Sequence, residues 1–507
     1  MRKIIFYLFS FFLSATAFAQ QDVDALIFSK TSLGGTARNM GVGGVMGSVG
    51  GDISSVINNP AGLAQFSKSE FTISPSLLFN NSKSNFLNNQ NADFRTRFMF
   101  SNMAVVFANR TNMGKLRSSN WSVNFNRISN FTNKVYFEAD NMNSSYAQSL
   151  AESMTADVKK NNGLPIYSGN KLDQSEYNYF GLKSLNAYDT YLMNYDTASK
   201  RMYSIVQGGV KQSGTITTTG GVNEFGINWA GDFNNKILVG IGINFDYLSY
   251  SVATSYNEND LNGINAKNFI HFNSTDLLEV EGMGANLKAG VLVKPNDYLR
   301  VSAFVHTPTY FGLKEEFSNQ FRTKLPGSSG VENYESSSPS TFFNYNLFTP
   351  WRLGLGLTGI IKNVGFLSAE YELTDYSDAF LVFDGSTNSK FKSLQVDLNK
   401  QIASKYSLAH TFKIGAEYSI EQFRLRAGYV YKSGVFNSNI APANGNQAAN
   451  IFTGGLGYRS DNFGFDLAYV RSIFKDYMSL YSVNNTETGL NNTNQFSQIV
   501  TTFTFKF

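Results

Sequence analysis

The sequence predicts an all-β protein, a 14-stranded antiparallel transmembrane β-barrel plugged by a small N-terminal hatch. Three observations lead to this fold class. Apolar and polar residues alternate with period two over 14 segments, short and long connections alternate between those segments, and an export leader precedes a chain that has no cysteine. Each observation is justified below in the order of the chain.

The first 19 residues, Met1–Ala19, predict a cleaved signal peptide. Arg2 and Lys3 precede the apolar run 4–13, and Ala17-Phe18-Ala19 fits the small-residue cleavage pattern. The run is too short to span a bilayer, which disfavours a membrane anchor. We therefore expect an exported chain that begins at Gln20 and is stabilised without disulfides.

Composition narrows the remaining classes. The full chain has a net charge of +4, and loss of Arg2 and Lys3 leaves about +2, too little to predict a nucleic-acid partner. Aromatic residues make up 15% of the chain, with 45 Phe and 27 Tyr, and charged residues only 16%. Beyond the leader no run of 18 apolar residues predicts a membrane helix, so a closed barrel is the remaining way to cross a bilayer.

The wall is predicted over residues 69–507. Residues Ile237 to Tyr247 alternate between an apolar face and a face of small and polar side chains, and so do residues 422–433. One face suits lipid and the other a polar lumen. The 14 candidate strands lie at 69–80, 97–109, 119–131, 220–231, 235–250, 280–294, 297–317, 340–361, 363–381, 407–420, 422–433, 450–459, 462–474 and 495–507.

The predicted connections alternate in length. Short turns, such as 232–234 and 460–461, alternate with long loops at 81–96, 132–219, 251–279, 318–339, 382–406, 434–449 and 475–494. Outer-membrane barrels have short periplasmic turns and long extracellular loops, so both chain ends are expected in the periplasm. A soluble β-sandwich does not explain this alternation.

The loop 132–219 is predicted to be partly helical. Tyr146, Leu150, Met154 and Val158 recur every four residues and form an apolar stripe. Two interpretations remain: the stripe packs on the barrel rim, or Tyr146, Leu150 and Met154 line a groove through which an apolar ligand enters.

Residues 20–68 are predicted to form the hatch, because a 14-stranded barrel is too wide for its own side chains to fill. The segment is rich in glycine and carries scattered apolar residues that either pack together or line a ligand pocket. Inward basic residues either hold a carboxylate or pair with Glu370, Glu372 and Glu417. Besides Lys413, the candidates for the ligand pocket are Phe28, Leu33, Val45, Met46, Arg352, Arg424 and Arg426.

Signals for catalysis are poor. The three histidines, His271, His306 and His410, have no metal-ligand neighbour at the usual spacing, and no cysteine is present. The glycines at 41–44 lack the strand and helix of a dinucleotide-binding unit. We predict neither an enzyme nor a bound metal or cofactor.

Several segments carry a family resemblance. They are Asn59-Pro60-Ala61-Gly62-Leu63-Ala64 in the hatch and, in the wall, 350–356 (PWRLGLG), 369–377 (AEYELTDYS), 424–429 (RLRAGY) and 455–459 (GLGYR). In these segments, which run in order over most of the mature chain, the sequence resembles the FadL/TodX family of outer-membrane transporters for long-chain fatty acids and other hydrophobic compounds. The resemblance implies a 14-stranded barrel with an N-terminal hatch.

The resemblance also implies passive uptake. A ligand would land on the loops, enter an apolar pocket, shift the hatch at Asn59, Pro60, Ala61, Gly62 and Leu63, and leave sideways at a kink in the third strand. Asn124 and Asn126, poor strand formers on one face of strand 3, are the candidates for that kink. The implied partner is a hydrophobic small molecule, and the implied location is the outer membrane.

Other expected partners follow from the barrel itself. Outer-membrane lipid contacts the wall, and assembly machinery recognises the terminal strand that ends at Phe507. We expect a monomer. The alternative function is a barrel that binds a partner protein in a secretion or surface-attachment system through loops 132–219 and 251–279. A non-selective porin would need no plug.

Overall fold

A computed structural model of the chain describes residues 22–161, 167–168, 171–172, 181–383, 389–437 and 447–507. The predicted leader Met1–Ala19 lies outside these residues, so its cleavage stays a prediction. Across the described ranges, no helix is long and apolar enough to cross a membrane.

The wall is a closed antiparallel barrel of 14 strands, which confirms the predicted fold class. Strand 1 pairs with strand 14 from Glu70–Lys506 to Phe86–Leu490, so the sheet has no free edge at this seam. The strands, numbered in chain order, are Glu70–Phe86, Asn89–Phe107, Leu116–Asn130 with Asn133–Asn141, Val210–Phe233, Ile237–Asp260, His271–Asn296, Leu299–His306 with Tyr310–Gly327, Thr341–Phe348 with Arg352–Ile361, Gly365–Asp375 with Phe380–Phe383, Leu408–Ile420, Phe423–Lys432, Ala449–Arg459, Phe463–Val483 and Thr486–Lys506.

The two faces of the wall follow the predicted alternation. On strand 5, Ile241 and Phe245 are about half exposed, whereas Asn244 and Asp246 are buried inside the barrel. On strand 11, Phe423 is exposed, and Arg426 on the opposite face is buried. Large apolar side chains therefore cover the outside of the wall, where they suit lipid.

Short turns join the strands at one end, which we call the short-turn end. The turn between strands 4 and 5 places Asn234 and Asn235 at φ values of 55° and 59°, a left-handed conformation that asparagine tolerates. The opposite, long-loop end departs from the prediction. The expected loops 81–96 and 475–494 are continued strands that meet at the tight turns Leu87–Asn88 and Asn484–Asn485.

The same correction applies to the other long connections. Strand 5 continues to Asp260, and strand 6 begins at His271. Strand 7 continues to Gly327 and pairs there with a short additional strand, Gly330–Ser337. Strand 3 also continues past its predicted end at residue 131. These strand ends rise beyond the apolar belt, where the outward side chains are largely polar and buried apolar residues such as Phe86, Phe272 and Phe321 lie on the inward face. The apolar outward face used to find strands is therefore lost.

Helices cover the long-loop end. The helices Tyr146–Asn161 and Leu182–Asp189 belong to the insertion 132–219, where the sequence predicts helix. Leu150 and Met154 are buried in one apolar core with wall residues such as Phe86 and Phe137. A third helix, Ser389–Lys405, packs over another part of the lumen.

Residues 22–68, which we call the plug, lie inside the barrel. They form four short helices and a 3-10 turn: Asp22–Ser29, Ala37–Gly41, Met46–Val49, Ser55–Asn58 and Pro60–Gln65. The plug bonds to opposite sides of the wall, since the Ala37 amide donates to Thr502 Oγ1 of strand 14 at 2.7 Å and Ser302 Oγ of strand 7 donates to Ser48 Oγ at 3.0 Å. We call residues 22–34 the plug arm and residues 36–66 the plug body.

Candidate functional site

The wall is interrupted between strands 2 and 3. Their hydrogen-bonded ladder runs from Phe107–Trp121 to Asn102–Asn126 and ends there. Strand 3 then breaks at Phe131–Thr132, and its second part pairs with strand 4. Among the described pairings, residues 89–101 of strand 2 have no backbone partner in strand 3, although side chains bridge the two, as where Asn89 Nδ2 donates to the Glu138 carbonyl at 2.7 Å. We call this unpaired edge and the facing break the lateral gap.

Neighbouring irregularities support the break. On strand 2, Ser101 is skipped in the pairing with strand 1, a bulge one residue from the last rung of the ladder. On strand 4, Gly220 has a φ of 108°, and a Cβ there would lie 2.0 Å from the Ser249 carbonyl oxygen. The Phe131 amide donates to the Gly220 carbonyl. A glycine is therefore needed where strand 3 turns away from the wall.

A gap of this kind is unusual in a membrane barrel. Unpaired backbone groups beside lipid cost several kcal/mol each, and irregular backbone is tolerated where it lines a cavity. The outward face of strand 2 remains apolar past the last rung, with Phe98 58% and Phe94 61% exposed. The gap thus opens beside lipid-facing residues.

A central cavity of about 90 Å³ lies behind the gap. Ile128 of strand 3 and Val222 of strand 4 line its gap side, and Phe28 and Leu33 of the plug arm line another. The charged residues in its lining are Lys30, Glu224, Asp246, Lys288, Arg352, Glu372, Lys413 and Lys432. The cavity is therefore apolar on some sides and charged on others.

Wall cations hold the plug arm over this cavity. Arg352 donates to the Ser29 carbonyl and to Thr31 Oγ1, both at 2.6 Å, and Lys432 Nζ donates to the Thr31 carbonyl at 2.6 Å. Lys30 donates to the side chain of Gln447. Burial lowers the pKa of Lys30 to about 8, an effect that the nearby charge of Asp476 opposes.

The arm also touches the break itself. The Ser32 amide donates to the Ile128 carbonyl at 2.8 Å. The Phe28 and Phe131 rings lie 6.1 Å apart, and each packs on Tyr250. One short segment of the plug therefore contacts both the cavity and the gap.

The predicted hatch motif makes contacts of another kind. Asn59 Nδ2 donates to the Val291 carbonyl at 3.2 Å, and Asn59 Oδ1 accepts from the Ala61 amide at 3.0 Å. Pro60 and Ala61 press against Gly240, where a Cβ would lie 2.3 Å from the Ala61 nitrogen. Gly62 and Leu63 complete the buried 3-10 turn. These contacts anchor the plug body to the wall.

Several inward basic residues have acidic partners. Arg426 donates to Glu417 at 2.6 Å and to Asp466 at 2.7 Å, and Arg38 of the plug shares Glu417 at 3.0 Å. Lys413 lies 2.8 Å from Glu370 and also contacts Glu372. The structural alternative, ion pairing with Glu370, Glu372 and Glu417, therefore describes Lys413 and Arg426.

The predicted pocket residues separate into two groups. Phe28, Leu33 and Arg352 line the central cavity. Val45 and Met46 are buried in a plug–wall core, and Arg424 Nη1 donates to the Glu421 and Phe423 carbonyls at the short-turn end. The predicted pocket residues that lie away from the cavity are therefore Val45, Met46, Arg424 and Arg426.

The other predicted sites also need correction. Asn124 and Asn126 belong to the intact ladder, and the break lies beyond them at Phe131–Thr132. Tyr146, Leu150 and Met154 pack in the core beneath the insertion, as the rim-packing interpretation has it, so they do not form an open groove. The apolar stripe seen in the sequence therefore packs the helix against the wall.

Sequence reasoning missed the residues beside the gap. Val135, Phe137 and Ala139 are buried and alternate with Lys134, Tyr136 and Glu138, a period-two signal within the presumed loop. That signal would have revealed the second half of strand 3. Over the same described ranges, no group of three His, Cys, Asp or Glu residues is placed to hold a metal ion.

The fold defines a class: a plugged β-barrel of the outer-membrane type, whose ladder between strands 2 and 3 is interrupted. No family model and no curated protein matches the chain. Solved structures do match. A Pseudomonas aeruginosa FadL homologue is 13% identical, with a TM-score of 0.54, covering 95% of this chain and 99% of its own. The Pseudomonas putida toluene transporter TodX is 13% identical, with a TM-score of 0.50, covering 95% and 100%.

At this identity the likeness concerns the fold. The chain has the FadL/TodX-type fold, which confirms the resemblance seen in the sequence.

Proposed function

We propose that the chain takes up hydrophobic or amphipathic small molecules across the outer membrane by passive diffusion. The observation that carries the proposal is the lateral gap backed by the central cavity. A ligand would enter from the long-loop end, which faces outward, reach the cavity, and leave sideways through the gap. The neighbouring structures, a FadL homologue and a toluene transporter, support this substrate class and not the protein-binding alternative.

Movement of the plug arm would gate this route. The cavity of about 90 Å³ is far smaller than the roughly 300–1,000 Å³ of sites that hold small-molecule ligands. A ligand therefore fits after the arm has moved. A carboxylate that binds Arg352 and Lys432 would replace the Ser29 and Thr31 oxygens that these cations hold. The plug body, including Asn59–Leu63, would stay in place.

Burial of an alkyl chain supplies the driving force for capture. Each methylene removed from water contributes roughly 0.8 kcal/mol, so a long chain needs few polar contacts. No external energy source enters this scheme, and we expect no catalytic step, in line with neighbours that are transporters and channels.

The route is tested with proteoliposomes that contain the purified barrel. Delivery of labelled palmitate and of toluene into the vesicles should exceed delivery by empty vesicles. Deletion of Phe131 and Thr132, which lets strand 3 run straight, should abolish delivery. Removal of residues 20–68 should instead open a pore for small polar solutes. Unchanged palmitate and toluene delivery after the two-residue deletion would exclude the lateral route.

A further inference from the structure

Three arginines lie together at the lateral gap. Arg97 Nη1 donates to Thr132 Oγ1 at 2.9 Å, within the break of strand 3. Arg95 precedes it on the same face of strand 2, and Arg127 lies on strand 3 just before the break. Arg97 is close enough to Arg95 and Arg127 for their positive charges to repel.

These arginines lack acidic partners. The carboxylates nearby are already paired, Asp93 with Lys134 at 2.9 Å and Glu138 with Lys211 at 2.8 Å. No ion pair involves Arg95, Arg97 or Arg127 across the described part of the chain. The deep lumen cations differ, since Arg426, Lys413 and Lys288 each bind a carboxylate.

Their hydrogen-bonding capacity is also incomplete. Arg127 donates to Asn223 Oδ1 at 3.1 Å and to the Gly220 carbonyl, both neutral acceptors. Arg95 Nη1 is buried with no hydrogen-bond partner. A buried guanidinium nitrogen without an acceptor is costly, and in native proteins such a group indicates a bound water, a bound ion or a functional role.

The surroundings provide a place for an apolar tail. Phe98 and Phe100 project outward from strand 2, with their rings 5.4 Å apart, and Phe94 is 61% exposed on the same face. The charged head group of an amphiphile would lie among the arginines, and its apolar chain would lie along these rings. Such a molecule would cross the wall at the gap. Guanidinium groups bind carboxylate and phosphate oxygens with paired, charge-assisted hydrogen bonds.

We propose that Arg95, Arg97 and Arg127 form an anion site at the lateral gap that binds the negatively charged head group of an amphiphile. The head group is a carboxylate of a passing ligand or a phosphate of a membrane lipid. Its role in ligand release rests on the proposed function, but occupancy of the site does not. Binding is therefore measured at equilibrium in detergent, without transport.

A local reporter tests the site. The chain has no cysteine, so Thr96→Cys, on the exposed face between the two arginines, accepts a single bimane label. The probes are 5-doxylstearate and its neutral methyl ester, which share one chain and one quenching group. We expect the acid to quench the label at a concentration roughly tenfold or more below that of the ester, the size of one charge-assisted contact.

Three variants in this labelled background decide the result. R95Q with R97Q should remove the difference between acid and ester, and R95K with R97K should keep most of it. R322Q, an exposed arginine paired with Glu335 outside the gap, is the matched control and should change nothing. Equal quenching by acid and ester in the parent, or an unchanged difference in the R95Q/R97Q variant, would overturn the proposal.

Nanodiscs separate the two sources of the anion. If phosphatidylglycerol suppresses quenching by the acid and phosphatidylcholine does not, a lipid phosphate occupies the site in the membrane. If neither lipid suppresses it, the site is free for the carboxylate of a ligand. A failure of palmitate delivery in proteoliposomes would count against the proposed function and leave this binding result intact.

Discussion

Two disulfides in the cysteine-free chain should separate movement of the plug arm from movement of the plug body. Ser48 Oγ of the body lies 3.0 Å from Ser302 Oγ of the wall, so S48C with S302C needs an approach of about 1 Å to form a disulfide. In the arm, the Ser32 amide bonds to the Ile128 carbonyl at 2.8 Å, a spacing that suits S32C with I128C.

The structure gives the expected magnitudes. Displacement of the body breaks charge-assisted bonds that include Arg38–Glu417, Ser48–Glu370 and Lys288 to the Ile57 carbonyl. Arg38–Glu417 supplies two of these four bonds, and at about 2 kcal/mol each the four amount to about 8 kcal/mol, which disfavours the displaced state roughly 10⁶-fold. The arm has an ion pair at its first residue, Asp22 with Lys405 at 2.8 Å, but residues 29–34 are held by neutral acceptors that a ligand carboxylate can replace. Movement of residues 29–34 therefore costs less than movement of the body.

Palmitate delivery into proteoliposomes measures both variants. The oxidised S48C/S302C protein should deliver palmitate within about twofold of the reduced protein, and the oxidised S32C/I128C protein should lose delivery and regain it on reduction. The energetic comparison behind this reasoning would be refuted if the body crosslink blocked delivery and the arm crosslink did not.

Three further outcomes follow from single residues. G240V should admit small polar solutes, because its side chain would displace Ala61 from 2.3 Å, whereas G359A, with 3.9 Å to its nearest neighbour, should stay closed; equal leakage in both would contradict the anchor. R426M should lower the free energy of unfolding in urea by about 3–5 kcal/mol, because it strands buried carboxylates. R424M should change that energy by less than about 0.5 kcal/mol. Palmitate affinity in equilibrium dialysis should fall as pH rises through about 8, because Lys30 then loses its positive charge, and K30M should weaken this dependence.

The sequence predicted those features of the wall that lipid imposes. Residues such as Ile241 and Phe423 face lipid and their neighbours face the lumen, so the period-two alternation along each strand assigned the two faces correctly. Beyond the apolar belt this constraint disappears, so the alternation predicts loops at 81–86 and 475–483, where strands 1 and 13 continue. The same limit hid the second half of strand 3, which hydrogen bonds hold without a lipid-facing stripe.

The same alternation indicated which basic residues point inward, but it did not indicate which groups they bind there. Arg426 and Arg424 share one face of strand 11 and have different neighbours, a buried pair of carboxylates for Arg426 and turn carbonyls for Arg424. Those partners depend on the register between strands and on the plug. The position of the gap likewise depends on pairing between strands 2 and 3, which alternation within one strand does not report.

The plug joins parts of the chain that are made first and last, which has a consequence for assembly. Its Ala37 amide bonds to Thr502 on strand 14, and its 3-10 turn bonds to Asn120 on strand 3. Contacts so distant in sequence form late, because the loop between them must close first. We therefore expect the contact between the plug and strand 14 to form late in assembly, together with the seam between strands 1 and 14.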